Sequence, residues 1–120
     1  MSGIGDGATR EELVPVVSAL VDGLAVRLGI DVAVPPAAVV VHDRYGGTYG
    51  VPTPACIEAI RLAARTEGLV LDPVYTGKAL AGLADLIRQG RWHGGQTVVF
   101  WHTGGQPGLF AYAAALAGSG

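Results

Sequence analysis

The sequence predicts an α/β fold of three layers, in which a mostly parallel sheet lies between flanking helices. Short apolar runs rich in valine and aromatic residues alternate along the 120 residues with segments whose apolar side chains recur at helical spacing. Strands that alternate with helices are typical of parallel pairing, because each crossover helix returns the chain to the same end of the sheet. The connections are short, so we expect residues 1–120 to form a single domain.

The first helix is predicted over residues 11–28, where leucine and valine follow the i, i+3, i+4, i+7 rule. Thr9 and Glu12 have the spacing of a capping box, and Gly29 is suited to a left-handed stop. Pro15 lies within the stretch, and proline is tolerated only near the start of a helix. The regular helix is therefore expected to begin later than the cap indicates.

Three short apolar runs are predicted as strands, at residues 37–41, 69–71 and 97–101. Each run is followed at once by histidine or aspartate and within a few residues by glycine, as when a strand ends in a turn. Because the runs are apolar along their length, we expect strands that are covered on both faces.

Helices are predicted to follow each of these strands. The second helix covers residues 53–66, with Thr53 as its cap and Gly68 as its stop. The third covers residues 77–89, where leucine and isoleucine recur on one side. A short helix over residues 107–116 closes the chain.

The composition excludes several functional classes. The formal net charge is −2 and the arginines are scattered, so nucleic-acid binding is not expected. No apolar run approaches the length of a membrane span, and the first residues lack the pattern of a secretion signal. The single cysteine, Cys56, excludes an internal disulfide and is typical of a cytoplasmic protein.

The chain is unusually apolar for its size. Half of its residues are hydrophobic and 15% are charged, and the mean hydropathy is +0.42. A domain this small has too little interior to bury so much apolar surface. We therefore expect a partner, or a further segment of polypeptide, to cover part of it.

Polar, aromatic and glycine residues follow each predicted strand. They read HDRYGGTYG at 42–50, DPVYTGK at 72–78 and HTGG at 102–105. Ligands bind beyond the carboxyl ends of the strands in open parallel sheets, and these three clusters would meet at that edge. The sequence therefore predicts a ligand site formed by all three.

These blocks carry a resemblance to a known family. YGVPTP at 49–54, DPVYTGKALAG at 72–82 and HTGG at 102–105 occur in the same order in the C-terminal part of the D-cysteine desulfhydrase and 1-aminocyclopropane-1-carboxylate (ACC) deaminase family. The chain resembles that part from about the first helix to Tyr112. The resemblance implies part of a fold type II domain of the tryptophan synthase beta-like superfamily, with pyridoxal phosphate as the cofactor of the family.

The resemblance also implies roles for individual residues. Tyr75 corresponds to a catalytic tyrosine that lies over the cofactor, and Tyr49 to a second active-site tyrosine; such residues can deliver or accept a proton. Thr76, Thr103 and Gly104 are implied to bind the cofactor. Deaminase-like members have an acidic residue and a leucine where this chain has the two threonines, so the resemblance implies breakdown of D-cysteine to pyruvate, sulfide and ammonia. A threonine hydroxyl can donate to a neutral pyridine nitrogen.

Lys78 is the only lysine, but it corresponds to a family position other than the cofactor lysine. The N-terminal part of the family, which carries that lysine, has no counterpart in these residues. Covalent catalysis of this type depends on the amine, so we expect the chain to be inactive alone and its own binding of pyridoxal phosphate to be weak. Two alternatives remain: the chain completes an enzyme together with an N-terminal complement and takes a small amino acid as substrate, or it is a non-enzymatic module that forms a homo-oligomer.

Simpler roles compete with the functional ones. Lys78 is expected to be solvated or structural. Tyr49 and Tyr75 could be packing residues, since their rings contribute apolar area. Asp43 and Asp72 are expected to form turns. The histidines lack ligand spacing with acids or cysteine, so no metal site is expected.

Overall fold

The computed structural model describes residues 2–5 and 7–117. Strand β1 (Ser2–Ile4) pairs in parallel with strand β2 (Val40–His42). Helix α1 (Arg10–Leu28) lies between them in the chain, so the first third is a βαβ unit. The predicted α/β class and its parallel pairing are confirmed.

The two ends of α1 are those that the sequence predicts. The Thr9 hydroxyl accepts from the Glu12 N–H at 3.3 Å, and the Glu12 carboxylate accepts from the Thr9 N–H at 2.9 Å. Gly29 ends the helix in the left-handed region at φ 63°. The expectation of a late start was wrong, because the helix runs through Pro15. The capping box holds the first turn, and a proline just beyond it removes only one backbone hydrogen bond.

The sheet differs from the predicted one. The strand predicted at residues 37–41 is present, but its bounds are those of β2 (Val40–His42). Residues 69–71 and 97–101 are extended and have no strand pairing. Among the described residues, only β1 and β2 are hydrogen-bonded as a sheet. A strand needs a neighbour alongside it, and local apolar character does not supply one. β1 was missed because Ser-Gly-Ile holds a single large apolar residue and no alternation.

The later helices follow the prediction closely. Helix α2 spans Pro54–Glu67, with Thr53 accepting from the Cys56 N–H at 3.1 Å, and helix α3 spans Thr76–Arg88. The predicted last helix is interrupted. It comprises α4 (Gln106–Leu109), a 3-10 turn at Phe110–Tyr112 and α5 (Ala113–Ala117).

The hydrophobic core lies mainly where α2 meets α3 and the extended segment before it. Cys56 and Ile60 of α2 pack with the fully buried Leu71. Phe100 reaches the same cluster from residues 97–101, although that segment forms no strand. The packing of these side chains, rather than a wide sheet, positions the polar loops of the site.

Much of the apolar surface is not covered. Helix α1 has no buried residue, and Leu20, Leu24 and Leu28 along it are exposed. The radius of gyration is 15.7 Å, whereas a compact domain of this length has about 14 Å. Within residues 2–5 and 7–117, no helix is both long and apolar enough to cross a membrane.

Candidate active site

A hydrogen-bonded turn at Asp72 begins the site. The carboxylate accepts the N–H groups of Val74, Tyr75 and Thr76 at 2.8–2.9 Å and the Thr76 hydroxyl at 2.6 Å. An aspartate that receives several backbone N–H groups in this way fixes the start of the following helix. Asp72 is therefore a turn former, as expected, and its turn presents Tyr75 at the beginning of α3.

Burial and hydrogen bonding have opposite effects on the pKa of Asp72. Desolvation is the largest single influence and raises the pKa, because Asp72 is buried. The hydrogen bonds from the Thr76 side chain and from the N–H groups of Thr76, Tyr75 and Val74 together outweigh it and lower the pKa below its ordinary value. The group therefore remains a carboxylate at neutral pH.

The Asp72 turn should make stability depend on acid pH. Because its pKa is lowered in the folded state, its contribution is complete above the unfolded pKa of about 3.9 and is lost as the pH falls through the folded pKa. Asp72→Asn should cost about 1–3 kcal/mol at pH 7, since an amide cannot accept all the donors. Urea unfolding between pH 2.5 and 7 measures both effects. The exposed Asp31→Asn serves as the control, and parallel pH curves for the parent and Asp72→Asn would contradict the prediction.

The two predicted catalytic tyrosines lie side by side. The hydroxyl oxygens of Tyr49 and Tyr75 are 2.5 Å apart, and either group can be the donor. Their ring centroids are 6.0 Å apart in an edge-to-face arrangement at 66°. Tyr49 is 61% exposed and Tyr75 is 52% exposed. Residues that pack for stability alone are seldom so open, so this pair is well placed for contact with a ligand.

The two threonines differ in what their hydroxyls can do. Thr76 is 2% exposed, and its hydroxyl donates to the Asp72 carboxylate and accepts from the Asp72 N–H at 2.8 Å. A hydroxyl has one proton, so Thr76 has no proton left for a ligand. Thr103 is exposed, and no bond to another described residue occupies its hydroxyl. Thr103 is thus the threonine that can donate.

Gly104 lies in a tight turn held by His102. The Gly104 N–H donates to His102 Nδ1 at 3.0 Å, so the imidazole proton is on Nε2, which lies 3.0 Å from the Val70 carbonyl oxygen. Gly104 has φ +99°, a conformation that favours glycine. Its N–H is already used within the turn, so the role of Gly104 here is to shape the loop beside Thr103.

An open cavity of about 730 Å³ brings several of the predicted residues together. Tyr75, Thr76 and Thr103 line it, with Lys78 deeper in the wall. Tyr49 does not line the cavity, but its hydroxyl is hydrogen-bonded to that of Tyr75, which does. The remaining wall is mostly apolar and comes from β1, α3 and the extended segment at 97–101.

His42 in the cavity wall was not among the predicted site residues. Its Nε2 is buried, with no hydrogen-bond partner among the described residues. Desolvation, followed by the charges of Arg44, Arg91 and Arg10, lowers the pKa of His42, so the ring is held neutral. The signal in the sequence was its position directly after the strand predicted at residues 37–41, at the edge where ligands bind.

Lys78 is the buried cation of the site. Its side chain is 1% exposed, and Nζ donates to the Thr48 carbonyl oxygen at 3.0 Å. Of the two roles expected for it, solvated or structural, the structure places it in the second. Across the described residues, no group of three histidine, cysteine or acidic side chains is arranged to hold a metal ion.

Comparison with known proteins identifies the family. A sequence profile described as "Pyridoxal-phosphate dependent enzyme" matches residues 4–104. This chain belongs to the pyridoxal-phosphate dependent enzyme family. D-cysteine desulfhydrases of Salmonella typhi and Salmonella newport (strain SL254) are similar at 54% identity over 70 residues, which cover 58% of this chain and 21% of each relative. The chain thus spans about a fifth of the length of these relatives.

A solved structure extends the similarity to nearly all of the chain. The crystal structure of an ACC deaminase homologue superposes with a TM-score of 0.76 at 38% identity, over 97% of this chain and 34% of that one. The resemblance to the desulfhydrase and deaminase family is confirmed, and pyridoxal phosphate is the cofactor of this family.

The residues of the cavity fit the ring of such a cofactor. The volume of the cavity is within the range of small-molecule sites, about 300–1,000 Å³. Tyr75 offers an aromatic surface and Thr103 a hydroxyl donor. His42 offers a buried ring nitrogen that has no hydrogen-bond partner among the described residues. Lys78 does not fit the role of the anchoring amine, because its Nζ is buried and bonded to Thr48.

Proposed function

We propose that this chain forms the tyrosine-bearing wall of a pyridoxal-phosphate lyase that acts on D-cysteine. In this proposal, the amine that anchors the cofactor comes from a further polypeptide segment. The observation that carries the proposal is the 2.5 Å contact between the Tyr49 and Tyr75 hydroxyls at a cavity where Lys78 is buried. The 54% identity to proteins named D-cysteine desulfhydrase supports the choice of substrate.

Thr103 is the residue that we assign to the pyridine nitrogen. Pyridoxal phosphate, when bound, supplies an electron sink for the charge that develops on the substrate carbon. A neutral hydroxyl donates a hydrogen bond to that nitrogen without protonating it, whereas an acidic residue would hold it protonated. Expulsion of a thiolate needs less electron withdrawal than opening a cyclopropane ring. By the family resemblance, Thr76 and Thr103 stand where deaminase-like members have the acidic residue and the leucine, and this pair favours the desulfhydrase reaction over the deaminase reaction.

Tyr75 and Tyr49 are assigned to proton transfer. The amine of the further segment takes the proton from the α carbon of D-cysteine, and the electron pair of that C–H bond forms the Cα=Cβ bond of an enamine. The C–S bond breaks with its electron pair on sulfur, and the hydrosulfide that leaves takes up a proton to form hydrogen sulfide. Tyr75 in the cavity wall can give that proton, and Tyr49 can share its own across their hydrogen bond. Pyruvate and ammonia follow when the remaining enamine is hydrolysed.

The further segment also accounts for the uncovered apolar surface. Exposed apolar side chains of α1, and Val99 and Trp101 of the extended segment, are groups that a soluble domain normally buries. The solved relative is about three times as long as the part that matches this chain, since the match covers 34% of it. We therefore propose that this surface is covered by a further polypeptide segment that corresponds to the rest of a family member.

The 120 residues alone should neither bind pyridoxal phosphate covalently nor consume D-cysteine. Lys78 is buried, so reduction with borohydride in the presence of the cofactor should leave it without a pyridoxyl group, as judged by peptide mass spectrometry. Sulfide release should not exceed that of a Lys78→Ala control. A pyridoxyl group on Lys78 together with sulfide release from D-cysteine, without any added segment, would overturn the proposal.

A further inference from the structure

We propose that Lys78 is a positioning residue that sets the distance between the Tyr49 and Tyr75 hydroxyls. It would act through its hydrogen bond to the Thr48 carbonyl oxygen. This inference rests on the proposed role of the two tyrosines as the proton-transferring pair of the site.

One side chain joins the two loops that carry the tyrosines. Lys78 lies in the first turn of α3, three residues after Tyr75. Its Nζ is 3.0 Å from the carbonyl oxygen of Thr48, which precedes Tyr49. The bond therefore links the backbone next to one tyrosine to the helix that begins next to the other.

The loop around Tyr49 depends on such side-chain contacts. Gly47 and Gly50 have φ of 60° and 71°, so the loop turns sharply on both sides of Tyr49. The Tyr112 hydroxyl donates to the Gly50 carbonyl at 2.7 Å, and Lys78 donates to the Thr48 carbonyl. The peptide groups on both sides of the exposed tyrosine are thus held by side chains from α3 and from the C-terminal turn.

A lysine at this position is not explained by helix stability. A cation in the first turn of a helix faces the positive end of the macrodipole, which is unfavourable. Burying its charge adds a further cost unless hydrogen bonds compensate. The bond from Lys78 to Thr48 is charge-assisted, and such bonds are about twice as strong as neutral ones. That contact is one reason for a cation at this place.

Oxidative coupling of tyrosines reports how close the two rings lie. A ruthenium photosensitiser with persulfate joins neighbouring tyrosine rings, and peptide mass spectrometry identifies the joined pair. The parent chain should give a Tyr49–Tyr75 product, which Tyr75→Phe abolishes. Lys78→Met keeps the length of the stem and removes the donor, so the yield should fall about fivefold or more, as when a charged hydrogen bond is lost.

Arg61→Met is the matched control. Arg61 also donates to a backbone carbonyl, that of Leu116, at 2.7 Å, but it lies away from the tyrosines. Its removal should leave the yield unchanged, as should Lys78→Arg, which restores a cationic donor. Three results would each overturn the inference. The first is a folded Lys78→Met that gives the parent yield, and the second is a folded Lys78→Arg whose yield is as low as that of Lys78→Met. The third is a parent chain that gives no Tyr49–Tyr75 product.

A measurement on the parent chain keeps the inference testable if Lys78→Met fails to fold. Lys78 is the only lysine, so labelling with ¹⁵N-lysine gives a single side-chain signal. A scalar coupling between its Nζ and the Thr48 carbonyl carbon is expected, and its absence would contradict the inference. Neither assay needs cofactor or activity, so their outcome is distinct from that of the proposed function.

Discussion

Gly77→Ala should lower the free energy of unfolding by about 3 kcal/mol, the cost of forcing an extra methyl group into a filled core. A Cβ at this position would lie 2.7 Å from the Asp72 carbonyl oxygen, 2.8 Å from Cys56 Sγ and 2.8 Å from Ile60 Cδ1. The oxygen accepts the Gly77 N–H at 2.8 Å, so neither group can move away without losing that bond. The α2–α3 contact would have to open, and the turn that carries Tyr75 would move with it.

Gly23→Ala is the control for helix propensity. It also replaces a glycine within a helix, but apart from its chain neighbours and the nearby backbone of α1 itself, no atom lies within 4 Å of the Cβ that would be added. Alanine should therefore stabilise α1 by about 0.5–1 kcal/mol at this position. Urea unfolding followed by far-ultraviolet circular dichroism compares the two variants. If Gly77→Ala were as stable as the parent chain, that result would contradict the close packing around Gly77 in α3.

Tyr75→Phe should remove most of the activity of a completed enzyme. The completed enzyme is a chimera in which this chain replaces the matching part of the D-cysteine desulfhydrase of Salmonella typhi, which supplies the remaining segment. Loss of a proton-transferring group typically lowers the rate by about 10²–10⁴-fold. The effect should be on kcat more than on KM, because the ring that contacts the ligand is retained. Sulfide release from D-cysteine is the measurement.

Tyr45→Phe provides the comparison in the same chimera. The Tyr45 hydroxyl bonds to the Asp85 carboxylate, away from the tyrosine pair, so its loss should change kcat little. If Tyr75→Phe reduced kcat no more than Tyr45→Phe, the assignment of Tyr75 to proton transfer would be wrong. A chimera that releases no sulfide from D-cysteine would count against the proposed substrate.

Features set by neighbouring residues could be predicted from the sequence. The capping box of Thr9 and Glu12, the Thr53 cap and the turn formed by Asp72 all depend on contacts within four residues. Strand pairing is not local, so nothing in residues 97–101 shows whether a partner strand lies beside them. The same reason explains why β1, which has few apolar residues, was not predicted.

Only part of the candidate site could be predicted, because the rest depends on contacts between residues that are far apart in the sequence. The order of strands and loops placed Tyr49, Tyr75 and Thr103 near one edge, and the resemblance assigned them roles. The burial of Lys78 and the engagement of the Thr76 hydroxyl depend on three-dimensional packing against Thr48 and on the geometry of the Asp72 turn. Residue type alone does not distinguish a threonine that can donate from one whose proton is already used.

The exposed indole of Trp101 gives the molecule an optical reporter. It is 81% exposed and borders the cavity, on the surface that lacks a covering layer. An indole in water emits at longer wavelength than one in apolar surroundings. A polypeptide that covers this surface with apolar side chains would therefore shift the fluorescence of Trp101 to the blue. In a Trp92→Phe variant, which removes the other tryptophan of the chain, titration of that shift would measure the affinity of assembly without a label.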